Sequence, residues 1–213
     1  MALDPLTDAE VRVLGTLMEK ESTTPEYYPL SLNALLNGVN QKSNREPVVA
    51  YDAETVEAAL EGLRQKRFAV FVSGSGRVAK YSQRASETLN LGRRESAVLC
   101  TLFLRGPQTL GEIKDRSERM FTFGDLAETE SVIEKLAEWQ GGPLLTKLPR
   151  QPGHKEPRYA HLFSGEPVLD AFSGTEPIAP PSRIAQLEQE LQQLRSDFDD
   201  LKSRFDALES QLR

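Results

Sequence analysis

Apolar positions along the chain alternate between two rhythms, and the order in which the rhythms change predicts the elements. Thr7-Asp8-Ala9-Glu10 has the T-x-x-E form of a capping box, in which a hydroxyl and a carboxylate each satisfy an orphan backbone donor. Val11, Leu14 and Met18 follow at helical spacing and predict a helix over about residues 8–21. Ser31 can cap a short helix carrying Leu32, Leu35 and Leu36, and Asp52 a longer one with Val56, Ala59, Leu60 and Leu63 toward the core. The rhythm then shortens: Phe68 to Val72 favours a strand, Gly74-Ser75-Gly76 a turn, and Arg77 to Tyr81 a return strand.

The same succession is written a second time. Glu95-Ser96-Ala97-Val98-Leu99-Cys100-Thr101-Leu102 matches Glu10 to Leu17 at an offset of 85, and Asp52, Glu57, Leu60-Glu61 and Leu63 match Asp125, Glu130, Ile133-Glu134 and Leu136 at an offset of 73. The difference of 12 residues is an insertion in the first copy, and the aperiodic polar stretch Gly38 to Tyr51 is its place. In the second copy Thr109-Leu110-Gly111-Glu112 is another capping box, Asp125 caps a helix reaching Trp139, and Leu144–Leu148 pairs with Arg158–Phe163 across a loop from Pro149 to Pro157.

Three helices followed by a β-hairpin is the order of a winged helix. The expected fold class is therefore mainly α with small β-hairpins (α+β): two tandem winged-helix domains, residues 1–84 (insertion about 38–51) and 85–164, then a Pro-rich linker, 165–182, and a coiled coil, 183–213. This extent and spacing, with the run Asn40-Gln41-Lys42-Ser43-Asn44-Arg45-Glu46-Pro47-Val48, resembles the YceH-like family of bacterial proteins over about residues 5–165. The resemblance implies a tandem winged-helix fold and brings no catalytic residue or cofactor to these positions.

After Ser182, a candidate N-cap, the apolar residues are Ile184, Leu187, Leu191, Leu194, Phe198, Leu201, Phe205, Leu208 and Leu212, spaced 3 and 4 in strict alternation. That is an unbroken heptad pattern over four repeats. With Ile184 at position a, a parallel pair sets Arg183 against Glu188, Glu190 against Arg195, Asp197 against Lys202 and Arg204 against Glu209, all attractive. A fully overlapped antiparallel pair sets Arg183 on Arg204, Glu190 on Asp197, Glu188 on Glu209 and Arg195 on Lys202, all repulsive. A consistent sign across the seam selects orientation. The expectation is a parallel homodimer through this segment, with a trimer left open by the bulky Phe198 and Phe205 at a.

Composition narrows the chemistry. The chain has 213 residues, a net charge of -6 and a single cysteine, Cys100, which excludes an intramolecular disulfide; with only His154 and His161 beside it there is no Cys/His zinc cluster. The N-terminus lacks the basic start and apolar block of a signal peptide, and no run reaches the ~18 apolar residues of a membrane span, so the expected setting is cytoplasmic with no membrane partner. Gly74-Ser75-Gly76-Arg77-Val78-Ala79 matches G-x-G-x-x-A, but a dinucleotide-binding turn must open a helix, whereas this one leads into a strand. Cys100 lies among apolar residues on a helix and reads as an inert thiol, neither histidine sits in a carboxylate arrangement suited to a catalytic base, and no Walker motif is present. No enzyme, metal or cofactor is expected.

Nucleic acid is the serious alternative, since winged helices commonly place the third helix in the major groove and the wing along the backbone. Here those helices are acidic: Glu54, Glu57 and Glu61 in the first copy, and Glu128, Glu130, Glu134 and Glu138 against Lys135 in the second. Carboxylates facing a polyanion oppose such docking. The groups left to contact phosphate or a partner are Asn40, Gln41, Lys42, Asn44 and Arg45 in the insertion, Arg77 and Lys80 at the first wing, and Arg150, His154, Lys155 and Arg158 at the second. Charge by region adds little: residues 1–81 hold 9 basic and 11 acidic side chains, residues 93–164 hold 11 and 10. The sequence thus favours a non-enzymatic interaction or scaffold module with an unknown protein partner, the alternative being a DNA-binding regulator that grips phosphates with its wings and the 40–47 loop.

Overall fold

The computed structural model describes residues 4–72, 79–150 and 156–167, and shows a mixed α/β architecture of helices with small antiparallel sheets. The first repeat opens with α1, Asp8–Thr23. The Thr7 hydroxyl accepts from the Glu10 amide at 3.2 Å while the Glu10 carboxylate accepts from the Thr7 amide at 2.7 Å, so the predicted capping box forms in full. A two-residue strand β1, Leu30–Ser31, leads into α2, Leu32–Val39, whose N-cap is Ser31; α3, Ala53–Gln65, starts from Asp52. Strands β2, Ala69–Val72, and β3, Lys80–Gln83, pair antiparallel, and β1 joins the far side of β3 to give the order β1-β3-β2. The predicted Gly74-Ser75-Gly76 turn between β2 and β3 lies outside the described residues.

A short helix, α4 (Ala85–Thr88), precedes the second repeat: α5, Arg93–Arg105; α6, Leu110–Ser117; α7, Leu126–Ala137; β4, Leu145–Lys147; and β5, Tyr159–His161. Thr109 and Glu112 form the second capping box, and Asp125 caps α7. The return strand of the first hairpin runs on to Gln83, past the predicted end at Tyr81, and there the Tyr28 hydroxyl accepts from the Gln83 amide at 2.6 Å; its predicted start at Arg77 lies outside the described residues. The helix capped by Asp125, expected to reach Trp139, stops at Ala137; the Trp139 indole turns away to donate to the Leu89 carbonyl at 3.1 Å.

The two repeats also match in details that sequence periodicity does not show. Leu30, just before the Ser31 cap, pairs with Tyr81 of β3; Gln108, just before the Thr109 cap, pairs with Tyr159 of β5. Thr16 and Thr101, 85 residues apart, each donate to the carbonyl four residues back. At the same offset stand Gly15 and Cys100, and these two touch: the thiol lies 3.3 Å from the Gly15 carbonyl, toward which it donates. A residue in contact with its own counterpart is what a local two-fold relation between α1 and α5 produces. Gly15 is required there, since a Cβ would come within 2.9 Å of Leu104 and Phe103.

That crossing explains why α1 and α5 are apolar on more than one stripe. Val11, Val13, Leu14, Leu17 and Met18 of α1 are all buried, as is every residue from Ala97 to Leu104 of α5. Each helix faces its own repeat on one side and the other repeat on the opposite side, so a continuous hydrophobic core runs through both. Leu6 closes it by donating its amide to the Phe163 carbonyl, while Phe163 packs edge-on against Phe103 with centroids 4.9 Å apart.

Candidate functional site

Three surfaces bear on function: the outward faces of α3 and α7, the insertion between α2 and α3, and a cleft where α1, α5 and α6 meet. On α3 the exposed face carries Glu54, Glu57 and Glu61, with Arg64 neutralising Glu61 at 2.6 Å. On α7 Glu130 and Glu134 are exposed, as is Glu138 at its C-cap, and Lys135 is drawn sideways to Glu95 at 2.6 Å. Both third helices therefore turn carboxylates outward, and the cations nearest to them are engaged within the fold.

The insertion folds inward, which local sequence did not reveal. Asn40 clamps its two ends, donating to the Tyr51 carbonyl at 2.7 Å and accepting from the Tyr51 amide at 2.8 Å. The Arg45 side chain is fully buried and forms a two-pronged pair with Glu19 of α1, at 2.6 and 3.2 Å, while also donating to the carbonyls of Gly38 and Asn44. Burial alone would push the Glu19 carboxyl up, but hydrogen bonds and charge from Arg45 hold it below the usual carboxylate range. Arg12, also buried, donates to the Pro47 carbonyl at 2.6 Å, and burial together with the nearby Arg45 disfavours its charge. From the second repeat, the Leu104 carbonyl accepts the Glu46 amide at 2.8 Å, and Arg105 donates to the Asn44 side chain. The loop is a strap between the repeats.

The sequence-predicted contact residues accordingly separate. Arg45 is an internal ion-pair partner and is not on the surface, contrary to the 40–47 loop reading, while the partly exposed Asn40 and Asn44 use their amide oxygens within the strap. Gln41 accepts from Lys20 at 3.3 Å. Arg158 bends back onto the start of α6, donating to the Pro107 carbonyl at 2.8 Å and to Glu112 at 3.1 Å. Lys42, Lys80 and Arg150 are exposed. Arg77, His154 and Lys155 lie outside the described residues, as do the proposed seam residues Ile184, Leu187, Leu191, Leu194, Phe198, Leu201, Phe205, Leu208 and Leu212.

Of the groups weighed for chemistry, Cys100 is fully enclosed and burial pushes its thiol pKa well up. His161 packs edge-on to Phe103 at 5.1 Å, and burial lowers its pKa to about 4, so it is neutral at pH 7. Sequence reasoning missed the third surface. The cleft is lined by Glu19, Asn44, Thr101, Arg105, Arg116 and Arg119 among others, and gathers three guanidiniums from α5 and the end of α6. The basic last turn of α6 was the available signal; that α5 and the strap lie opposite it is a tertiary fact.

The comparisons with known proteins are consistent across the chain. Residues 6–154 match the model of a family described as "Protein of unknown function, DUF480". A UPF0502 protein of Solibacter usitatus is 53% identical over 195 residues, covering 87% of this chain and 91% of that protein. UPF0502 proteins of Geobacter sulfurreducens and Vibrio parahaemolyticus are 52% and 48% identical, each covering 87% of this chain and 88% and 89% of their own lengths.

Proposed function

We propose that this chain, which belongs to the DUF480 (UPF0502) family of uncharacterised bacterial proteins, is a non-enzymatic tandem winged-helix binding protein. Its two repeats act as a protein-interaction or scaffold module, and its C-terminal heptads join chains into a parallel homodimer. The winged-helix reading rests on the recurring order of three helices and a hairpin. The assignment to protein rests on one observation above the rest: the outward faces of α3 and α7 carry Glu54, Glu57, Glu61, Glu130, Glu134 and Glu138. Major-groove readout wants Arg, Lys, Asn or Gln on that helix, and a row of carboxylates repels phosphate. The same row attracts a protein surface rich in Lys and Arg and steers its approach.

A DNA-binding regulator is the competing reading, favoured by the exposed Lys42 and Lys80, which make no hydrogen bond or salt bridge among the described residues. A titration on random duplex DNA at ~50 and ~200 mM salt separates the two. The interaction reading expects no binding at the lower salt; micromolar affinity that falls steeply with salt would overturn it. For the dimer, a cysteine placed before Ile184 should crosslink readily between chains, and failure in a proven dimer contradicts the parallel arrangement.

A further inference from the structure

The cleft between α1, α5, α6 and the strap carries positive charge that the fold does not neutralise. Glu19 lies on its wall, but its single charge is paired with Arg45 at 2.6 Å and shared with Lys20 at 3.6 Å and, at longer range, with Arg119. Glu112 is shared between two cations, Arg116 at 3.3 Å and Arg158 at 3.1 Å, and so cancels one of them at most. Arg105 has only the neutral Asn44 Oδ1 as a hydrogen-bond partner, and Arg119 makes no hydrogen bond or salt bridge among the described residues. Burial and then the neighbouring Arg116 disfavour the charge on Arg105, and the more weakly acting carboxylates of Glu46 and Glu19 offset this only in part, so Arg105 and Arg116 stand as like charges at the edge of a low-dielectric core. An anion between them removes that repulsion.

The other dimensions agree. The cleft has a volume of about 40 Å³ and opens to solvent, room for about three waters and so for a small oxyanion group seated in it. With Asn44 Oδ1 accepting from Arg105, its Nδ2 is left free to donate. Forked guanidinium donors from the end of α5 and from in and just beyond α6 suit an oxyanion, and three of them around one point supply more donors than the two oxygens of a carboxylate can take, which favours a group with more acceptor oxygens.

We propose that this cleft binds a single phosphoryl-type oxyanion, held by Arg105 and Arg119 with Arg116 and Asn44 at its rim. The site stands on observations independent of the α3 and α7 faces. Occupied, it ties the strap, α5 and α6 together, and so couples the two repeats to the presence of a small phosphorylated ligand or free phosphate.

The test uses the full chain and inorganic phosphate, by calorimetry and by thermal unfolding against sodium chloride at matched ionic strength. Phosphate at about tenfold its Kd should raise the unfolding midpoint by about 2–5 °C, and chloride should not. Arg119→Ala, at an exposed position with no hydrogen bond to lose, should keep the wild-type midpoint in chloride and weaken phosphate binding at least tenfold; Arg119→Gln should do the same. Lys80→Ala, on the first hairpin, should bind as wild type. A small phosphomonoester that binds more tightly than free phosphate identifies the source of the group. Equal stabilisation by the two salts, undiminished binding by Arg119→Ala, or equal loss in Arg119→Ala and Lys80→Ala overturns the proposal. Displacement of phosphate by duplex DNA, with Arg119→Ala losing DNA binding in parallel, also overturns it, since the cleft would then be a backbone contact.

Discussion

The two repeats share a local grammar and differ at their centre. Each begins with a helix whose third residue is a buried glutamate, Glu10 or Glu95, and each ties that glutamate to a lysine from the region of its third helix, Lys66 at 2.7 Å and Lys135 at 2.6 Å. At the same offset of 85, however, Arg12 and Glu19 of α1 correspond to Ala97 and Leu104 of α5. The first repeat puts charge where the second puts hydrocarbon. Only the first has the 12-residue insertion, and the insertion supplies partners for those charges: Arg45 for Glu19, and the Pro47 carbonyl for Nη2 of Arg12, whose Nη1 stays buried without a hydrogen bond among the described residues. A duplicated unit can thus carry a buried ion pair in one copy and an apolar contact in the other, provided that the polar copy also has the segment that satisfies it.

Substitutions that push one repeat toward the other break or sharpen this comparison. Arg45→Ala should have the largest effect, about 3–5 kcal/mol in urea unfolding, because Glu19 is left charged and enclosed. The paired change Glu19→Leu with Arg45→Met gives the first repeat the second's character and should recover at least half of that loss; a double variant as unstable as Arg45→Ala would show that the pair is not the cause. The next effect concerns pH. Gln83 and His161 hold matching places at the ends of their hairpins, opposite Ala69 and Leu145, but only the histidine titrates. Its pKa is lowered by burial from 6.5 to about 4, so the unfolded chain binds the extra proton in that interval. Stability should be complete above pH 6.5 and fall by about 2–3 kcal/mol as pH drops toward 4. His161→Gln, which installs the first repeat's residue, should flatten that part of the profile, and an unchanged slope would place the acid sensitivity elsewhere.

At the helix crossing, Gly15→Ala should cost about 1–3 kcal/mol, since the new methyl meets Leu104 and Phe103. Its counterpart, Cys100→Ala, removes an atom instead of adding one and should cost about 1 kcal/mol; equal effects would contradict the close approach at Gly15. Of comparable size are the glutamates. Glu10→Gln should cost about 1–2 kcal/mol, because the carboxylate is both an N-terminal cap and the partner of a mostly covered lysine. Glu95→Gln should cost under about 1 kcal/mol, because the side chain of Lys135 is 60% exposed and water compensates it. A double-mutant cycle with Lys66 and Lys135 measures both couplings.

Much of this molecule is local and therefore legible in sequence. The caps at Thr7, Ser31, Asp52, Thr109 and Asp125 all accept the predicted backbone donors, because a cap and its target lie three residues apart and need nothing from the rest of the chain. The repeat was legible for the same reason: each copy spells the same succession of short-range patterns. The acidic character of α3 and α7 also followed from helical spacing alone. Arg45 shows where that reasoning stops. In a polar, aperiodic loop it has the appearance of a solvent-facing cation, and nothing within several residues marks it as internal. A signal did exist at longer range, since Arg12 and Glu19 stand where the other copy has Ala97 and Leu104, and charges at core positions require partners.

The sequence by itself determined the principal helices and hairpin strands within the described residues, their recurring order and the sign of charge on the third helices, since propensity, capping and periodicity act over one or two turns. Only the tertiary structure decided that α1 and α5 meet at Gly15 and Cys100, that the insertion straps the repeats together from within, and that Arg105, Arg116 and Arg119 converge on one cleft. Those outcomes depend on which distant groups share a dry environment. There the cost of an unpaired charge, and not the local pattern, selects the partner.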